Sequence, residues 1–115
     1  MRHLLLGLIV ATGPATGALA DTSLSINIEL EDALVTTTSY QCGSEGALTI
    51  HYITTNDDIL ALVPVDDDPR VFAGVVSASG SRYVSGQFEW WSHGAEGTLR
   101  NVISEETLLD CTAPQ

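Results

Sequence analysis

Short runs in which apolar and polar residues alternate recur along this chain of 115 residues and constrain its fold more than any other feature. Apolar residues alternate with polar ones from Leu24 to Leu30, and again at Leu48, Ile50 and Tyr52. A period of two places every second side chain on the same face of a β-strand. Clusters of Gly, Ser, Asn and Asp separate such runs at intervals of about ten residues, as turns between strands do.

No run shows a sustained helical period, and the predicted strands follow one another as hairpins. The predicted strands cover residues 24–30, 35–40, 48–53, 59–65, 71–76, 83–84, 87–91, 97–103 and 107–109. Such a series is typical of an all-β barrel or sandwich. Sequential hairpins favour a barrel, because closure leaves no strand edge unpaired. We therefore predict a small antiparallel β-barrel of about eight strands.

Residues 1–20 are predicted to be a secretory signal peptide that is removed. A basic start precedes an apolar run over residues 4–10, and the small residues Ala18 and Ala20 suit a cleavage site. The apolar run is too short to cross a bilayer of about 30 Å as a permanent helix. No cysteine lies near the cleavage point to accept a lipid anchor. We expect a single periplasmic domain over residues 21–115, without a membrane anchor.

The predicted mature domain is strongly acidic. Three arginines face fifteen acidic residues, which gives a net charge of −12, and the chain contains no lysine. Such a balance argues against binding to nucleic acid or anionic membranes and favours a basic partner. Solubility, or adaptation to a salty habitat, would explain the same balance.

Cys42 and Cys111 are the two cysteines of the chain. In an exported protein they predict one disulfide, which would contribute about 4 kcal/mol by closing a long loop. The two histidines of the mature domain, His51 and His93, stand at no metal-ligand spacing, so neither a metal nor another cofactor is expected. His51 falls on the strand face opposite Leu48 and is predicted to be a surface residue.

Ser79, His93 and one of the many acids offer the residue types of a hydrolytic triad. The chain nevertheless lacks a nucleophile-elbow motif and a Gly-rich helix start that could form an oxyanion hole. Its carboxylates are expected in turns or at outward strand positions, where burial does not perturb their ionisation. The acidic run over residues 66–68 is likewise typical of a solvated turn and lacks the spacing of a calcium loop. We therefore do not expect an enzyme.

Tyr83, Trp90 and Trp91 suggest another class of function, a module that binds glycans by aromatic stacking. Alternation along the strand places Phe88 with Trp90 on one face and Glu89 with Trp91 on the other. We expect one tryptophan in the core and the other partly exposed. Core packing competes with glycan stacking as the explanation for both.

Several stretches together resemble one protein family. These are Tyr40-Gln41-Cys42, Ser77-Ala78-Ser79-Gly80-Ser81-Arg82-Tyr83, Trp90-Trp91-Ser92-His93-Gly94-Ala95-Glu96 and Cys111. The family is that of the membrane-bound or periplasmic inhibitors of c-type lysozyme, and the resemblance runs from Tyr40 to Cys111. It implies an antiparallel barrel with one disulfide, and two loops that enter the active-site cleft of the enzyme.

In that family a serine of the first loop and a lysine of the second contact the catalytic acids. These positions fall on Ser79 and on His93, which replaces the lysine, while Gly80 and Gly94 would let the loops approach closely. Neutral imidazole donates one uncharged hydrogen bond where lysine would place a charge, a difference of about 1 kcal/mol. We therefore expect inhibition that is strongest at acidic pH, where imidazolium forms, and that weakens as the pH rises.

Three further matched residues are expected to hold the loops in shape rather than touch the enzyme, namely Arg82, Tyr83 and Trp90. The sequence thus predicts a non-enzymatic inhibitor whose partner is c-type lysozyme. The alternative is a non-inhibitory envelope module on the same barrel, binding a glycan or a protein. Homodimerisation stays open, since residues 24–30 could add a strand to the barrel or pair with another subunit.

Overall fold

The computed structural model describes residues 7, 13, 23–27 and 29–114. Within these residues, eight strands form a closed antiparallel barrel in which each strand pairs with its neighbours in the chain. The strands are β1 (Leu34–Gln41), β2 (Ala47–Thr54), β3 (Ile59–Val65), β4 (Asp68–Val75), β5 (Ser81–Ser85), β6 (Phe88–His93), β7 (Glu96–Asn101) and β8 (Glu106–Thr112). A short 3-10 helix, Gly43–Glu45, follows β1. The predicted all-β barrel is confirmed.

The strand predicted over residues 24–30 is wrong for the part of it that the structure describes. Residues 23–27 and 29–30 are not in a strand, and Leu24 and Ile26 are 82% and 69% exposed. The physical reason is that β1 to β8 close the barrel among themselves, so this segment is not needed to complete it.

The predicted signal peptide lies outside the described residues, apart from Gly7 and Gly13. Its cleavage stays a prediction, and so does the extent of the single domain over residues 21–115. In the ranges that the structure does describe, no helix has both the length and the apolar character needed to span a membrane.

The acidic run over residues 66–68 forms the β3–β4 turn and the start of β4. Asp66 and Asp67 have φ angles of 51° and 65° and lie between the paired residues Val65 and Asp68. Tight hairpin turns require such positive φ angles, and aspartate is among the residues that tolerate them. The predicted turn is confirmed for Asp66 and Asp67. Among the described residues, no cluster of three or more His, Cys, Asp or Glu side chains could hold a metal ion.

The interior of the barrel is centred on Trp90, which is fully buried. Its Nε1 donates to the hydroxyl of Tyr52 at 2.9 Å, and that hydroxyl lies 2.7 Å from the hydroxyl of Tyr40. The rings of Tyr40 and Trp90 meet edge to face, with centroids 5.1 Å apart. Burial, reinforced by the bond to Tyr40, raises the pKa of Tyr52. The polar atoms of this aromatic core therefore satisfy one another, as buried polar atoms must.

The seam between β1 and β8 is the shortest pairing in the barrel. It contains a single register pair, Gln41 with Thr112, whereas the other neighbouring strands share at least three. The disulfide between Cys42 and Cys111 lies directly beside this pair, so the predicted cross-link is confirmed. It reinforces the barrel where backbone pairing is sparsest.

Candidate functional site

The antiparallel strand order brings the two sequence-predicted loops to the same end of the barrel. Ser79 lies in the β4–β5 loop, residues 76–80, and His93 is the last residue of β6. Since β5 and β6 pair through Ser81 and Ser92, the two segments leave neighbouring strands at adjacent positions. Both Ser79 and His93 are exposed. We call residues 76–80 and 93–96 the two-loop end.

The β4–β5 loop is held through the backbone carbonyl of Ser79. The Ser77 hydroxyl donates to this oxygen at 2.7 Å, and Trp91 Nε1 donates to it at 3.1 Å. Because the anchor is the carbonyl, removal of the Ser79 hydroxyl should leave the loop in place. That hydroxyl is thus a group whose contribution to binding can be measured separately from the shape of the loop.

Gly80 allows the first loop to lie directly against the end of β6. Its φ is +67°, and a Cβ at this position would lie 2.5 Å from the carbonyl oxygen of Ser92 and 3.2 Å from Cβ of His93. No other residue fits such a contact without displacing one of the loops. Gly94 has a different role. Its φ of +58° shapes the tight β6–β7 turn, and a Cβ there would meet no atom within 4 Å.

Trp91 connects the two loops, and sequence reasoning missed this role. Its indole ring stacks on the imidazole of His93 with centroids 5.2 Å apart and an interplanar angle of 19°. The same indole donates to the carbonyl of Ser79 in the other loop. The period of two already places Trp91 and His93 on one face of β6. The contact with Ser79, in contrast, joins residues 12 positions apart and has no local signal in the sequence.

The side-chain bonds of Arg82 in the described residues do not reach either loop. Its guanidinium instead binds a carboxylate on the outer wall of the barrel. Its Nε donates to Glu89 Oε2 at 2.6 Å, and Arg100 Nη1 lies 3.9 Å from Glu89 Oε1. Glu89 is only 8% exposed. The expectation that the carboxylates at outward strand positions escape burial is therefore wrong for Glu89. Two arginine side chains from neighbouring strands cover it.

The three aromatic residues considered as a platform for glycans lie in different environments. Tyr83 is 6% exposed and Trp90 is fully buried, so both belong to the core. Burial raises the pKa of Tyr83. Trp91 is half-buried and already stacked on His93. The predicted division into one core and one partly exposed tryptophan is confirmed, and the three rings do not form a common surface.

His51 is exposed on β2, where its Nδ1 lies 2.8 Å from the hydroxyl of Thr37 on β1. The predicted surface position is confirmed. A cavity of about 510 Å³ has a lining that includes Leu48, Val65 and Phe88, and none of its lining residues belongs to the two-loop end. The two-loop end thus lies outside this cavity, and Ser79 and His93 are both exposed to a partner.

Comparison with known proteins shows which family the chain resembles. Residues 40–107 match the family model described as membrane-bound lysozyme-inhibitor of c-type lysozyme, a range that includes both loops. The membrane-bound lysozyme inhibitor of c-type lysozyme from Cupriavidus necator is 38% identical over 78 residues, 64% of this chain and 62% of that protein. The protein of the same description from Pseudomonas aeruginosa is 44% identical over 61 residues, 52% of this chain and 48% of that protein.

The chain thus spans about half to three-fifths of the length of these curated relatives. A solved structure is also similar, that of Pseudomonas aeruginosa MliC in complex with hen egg white lysozyme. The TM-score is 0.62 and the sequence identity 31%, with 83% of this chain and 97% of that chain covered.

Proposed function

The chain belongs to the family of membrane-bound inhibitors of c-type lysozyme, and from this membership we propose that it inhibits a c-type lysozyme by inserting its two-loop end into the active-site cleft. The observation that carries the proposal is the arrangement of Ser79 and His93. Both are exposed on adjacent segments at the same end of the barrel. The structural relative that was crystallised with hen egg white lysozyme supports the choice of partner.

The chemistry of the two side chains suits the catalytic groups of that enzyme. C-type lysozyme uses two carboxyl groups, one protonated and one ionised. A hydroxyl such as that of Ser79 can accept from the first and donate to the second. His93 can donate to an oxygen as neutral imidazole and pair with the ionised acid as imidazolium.

The overall charge supports encounter with such a partner. The chain carries 15 acidic residues against four basic ones. C-type lysozymes are typically strongly basic, so attraction over a distance should accelerate association, and added salt should slow it. Exposed acids such as Glu96 at the two-loop end contribute to this field where the partner would approach.

In this proposal the protein has no catalytic activity of its own and acts in the periplasm. Family membership supports the first statement, since the family is one of lysozyme inhibitors. The predicted signal peptide supports the second. Arg82, Tyr83 and Trp90 would preserve the shape of the barrel wall below the loops, as the burial of Tyr83 and Trp90 and the contact of Arg82 with Glu89 suggest.

Inhibition of hen egg white lysozyme acting on bacterial cell walls tests the proposal. Residues 21–115 should inhibit at low salt, and Ser79→Ala should weaken inhibition about tenfold or more, since a hydrogen bond to a charged group contributes about 1.5–3 kcal/mol. Ser104→Ala is the matched control, because Ser104 is equally exposed in the β7–β8 turn at the opposite end of the barrel. Absence of inhibition at a stoichiometric excess of the unaltered protein would overturn the proposal.

The same preparations distinguish the alternative of a non-inhibitory binding module. A module of that kind would leave lysozyme activity unchanged and would bind cell-wall glycan through its one half-exposed tryptophan, Trp91. Glycan binding that disappears in Trp91→Ala, without inhibition by the parent, would favour the module over the inhibitor.

A further inference from the structure

We propose that Trp91 is a positioning residue that fixes both loops of the two-loop end and orders the imidazole of His93. The inference rests on the proposed function and adds to it a residue that neither loop contains. One face of the indole stacks on His93 and its N–H donates to the carbonyl of Ser79. A single side chain therefore sets the relative position of the two groups that would enter the cleft.

The contacts around Trp91 make this arrangement rigid on the side of the first loop. Gly80 packs closely against the end of β6. A Cβ built at Gly80 would lie 2.5 Å from the Ser92 carbonyl oxygen and 3.1 Å from Trp91 Nε1. The Ser77 hydroxyl holds the Ser79 carbonyl from the other side. Trp91 itself is half-buried on β6, between its register partners Arg82 and Thr98. The loop thus rests on an indole whose own position is set by two strands.

On the side of the second loop, the indole face orders the imidazole of His93 by stacking. A cation is attracted to the electron-rich face of an indole, whereas neutral imidazole gains only stacking. The charged group nearest in register is Glu96, directly opposite His93 on β7. Asp110 on β8 faces Thr98, the partner of Trp91, and residues 76–80 of the facing loop contain no titratable side chain. The stack on Trp91 therefore sets the orientation of His93 beside Glu96.

Together these contacts hold His93 in a fixed orientation, which suits a position opposite an ionised acid of the enzyme. A flexible lysine loses rotamer freedom on binding, but a histidine stacked on a fixed indole is already ordered. Preorganisation by Trp91 would thus offset part of the affinity that neutral imidazole lacks. Without the indole, His93 would be a mobile side chain at the end of a strand.

A double-mutant cycle on inhibition measures this coupling. His93→Ala should weaken inhibition several-fold in the parent but by less than twofold in a Trp91→Leu background, because His93 has then lost its support. Trp91→Leu alone should weaken inhibition about tenfold or more. Trp91→Phe keeps a stacking ring but loses the N–H, so its inhibition should lie between that of the parent and that of Trp91→Leu. Phe88→Leu is the matched control, since Phe88 is a half-buried aromatic at the other end of the same strand. Equal effects of His93→Ala in both backgrounds would overturn the inference.

Fluorescence of the free protein provides a readout that does not depend on lysozyme. Protonation of an imidazole stacked on an indole quenches the emission of the indole, so tryptophan emission should decrease as the pH falls. The change should be absent in His93→Gln, which retains both tryptophans. Emission that is flat with pH, or that changes equally in His93→Gln, would contradict the stack. If the unaltered protein did not inhibit lysozyme, the proposed function would fail while this emission change could still be observed.

Discussion

Trp90 and Trp91 are neighbours in the sequence, yet they lie in opposite environments on the two faces of β6. Trp90 is fully buried, donates to Tyr52 and packs edge to face on Tyr40. Trp91 is half-buried, donates to the carbonyl of Ser79 and stacks on His93. The same side chain therefore stabilises the barrel when it points inward and shapes a candidate binding surface when it points outward. The inner face should determine stability and the outer face affinity.

The largest effect expected from this contrast is that of Trp90→Ala. Removal of a fully buried tryptophan should lower the free energy of unfolding by about 3–5 kcal/mol, because it leaves a cavity and removes the hydrogen bond that Trp90 donates to the Tyr52 hydroxyl. Trp91→Ala should lower it by about 1 kcal/mol or less, since a half-exposed side chain buries less area. Urea denaturation of both variants measures the difference. Similar losses in the two variants would break the contrast between the faces.

The next largest effect also concerns the inner face and should appear in unfolding at alkaline pH. Burial raises the pKa of Tyr52 above its ordinary value of 10.0, so in this range the unfolded chain releases the proton more readily than the folded chain does. Below about pH 10, neutral Tyr52 makes its full contribution to the free energy of unfolding. Above about pH 10 this contribution is lost, at up to about 1.4 kcal/mol per pH unit.

Tyr52→Phe cannot release this proton, so its unfolding free energy should decline less steeply above about pH 10 than that of the parent. At neutral pH the variant should be less stable by about 1–3 kcal/mol, since Trp90 Nε1 loses its buried acceptor. Denaturant titrations over a series of pH values give both results. Parallel pH profiles for the two proteins would show that Tyr52 does not titrate in the way its burial requires.

The smallest expected effect lies on the outer face and concerns His93→Lys. Lysine supplies a permanent charge, so affinity for lysozyme should rise several-fold, about 1 kcal/mol, at about pH 8. Histidine side chains gain a proton as the pH falls, so the gain should shrink at about pH 5.5. Inhibition constants at both pH values test this. A gain that is equal at the two pH values would indicate that protonation of His93 does not contribute.

Much of the barrel could be predicted from the sequence, because the sequence patterns that specify it are local. The period of two in β6 places Trp90 and Trp91 on opposite faces, and the pair Asp66-Asp67 marks a turn without knowledge of any other strand. The disulfide between Cys42 and Cys111 follows from their being the two cysteines of an exported chain. Each of these inferences needs only the residue types and their spacing.

The features that sequence reasoning missed depend on contacts between distant parts of the chain. Alternation over residues 24–30 satisfies the local rule for a strand, but the eight strands that follow close the barrel without this segment. Burial of Glu89 depends on arginines from two other strands. The bond from Trp91 to Ser79 likewise requires the register of β5 and β6, which no local pattern specifies.

The most direct test of the central claim is amide hydrogen exchange of residues 21–115, alone and with excess hen egg white lysozyme at low salt. The account predicts slower exchange in the complex at residues 76–80 and 93–96, which form the two-loop end. Exchange in the turns at the opposite end of the barrel, residues 66–67 and 102–105, should remain unchanged. Protection of those opposite turns, with unchanged exchange at the two-loop end, would contradict the account.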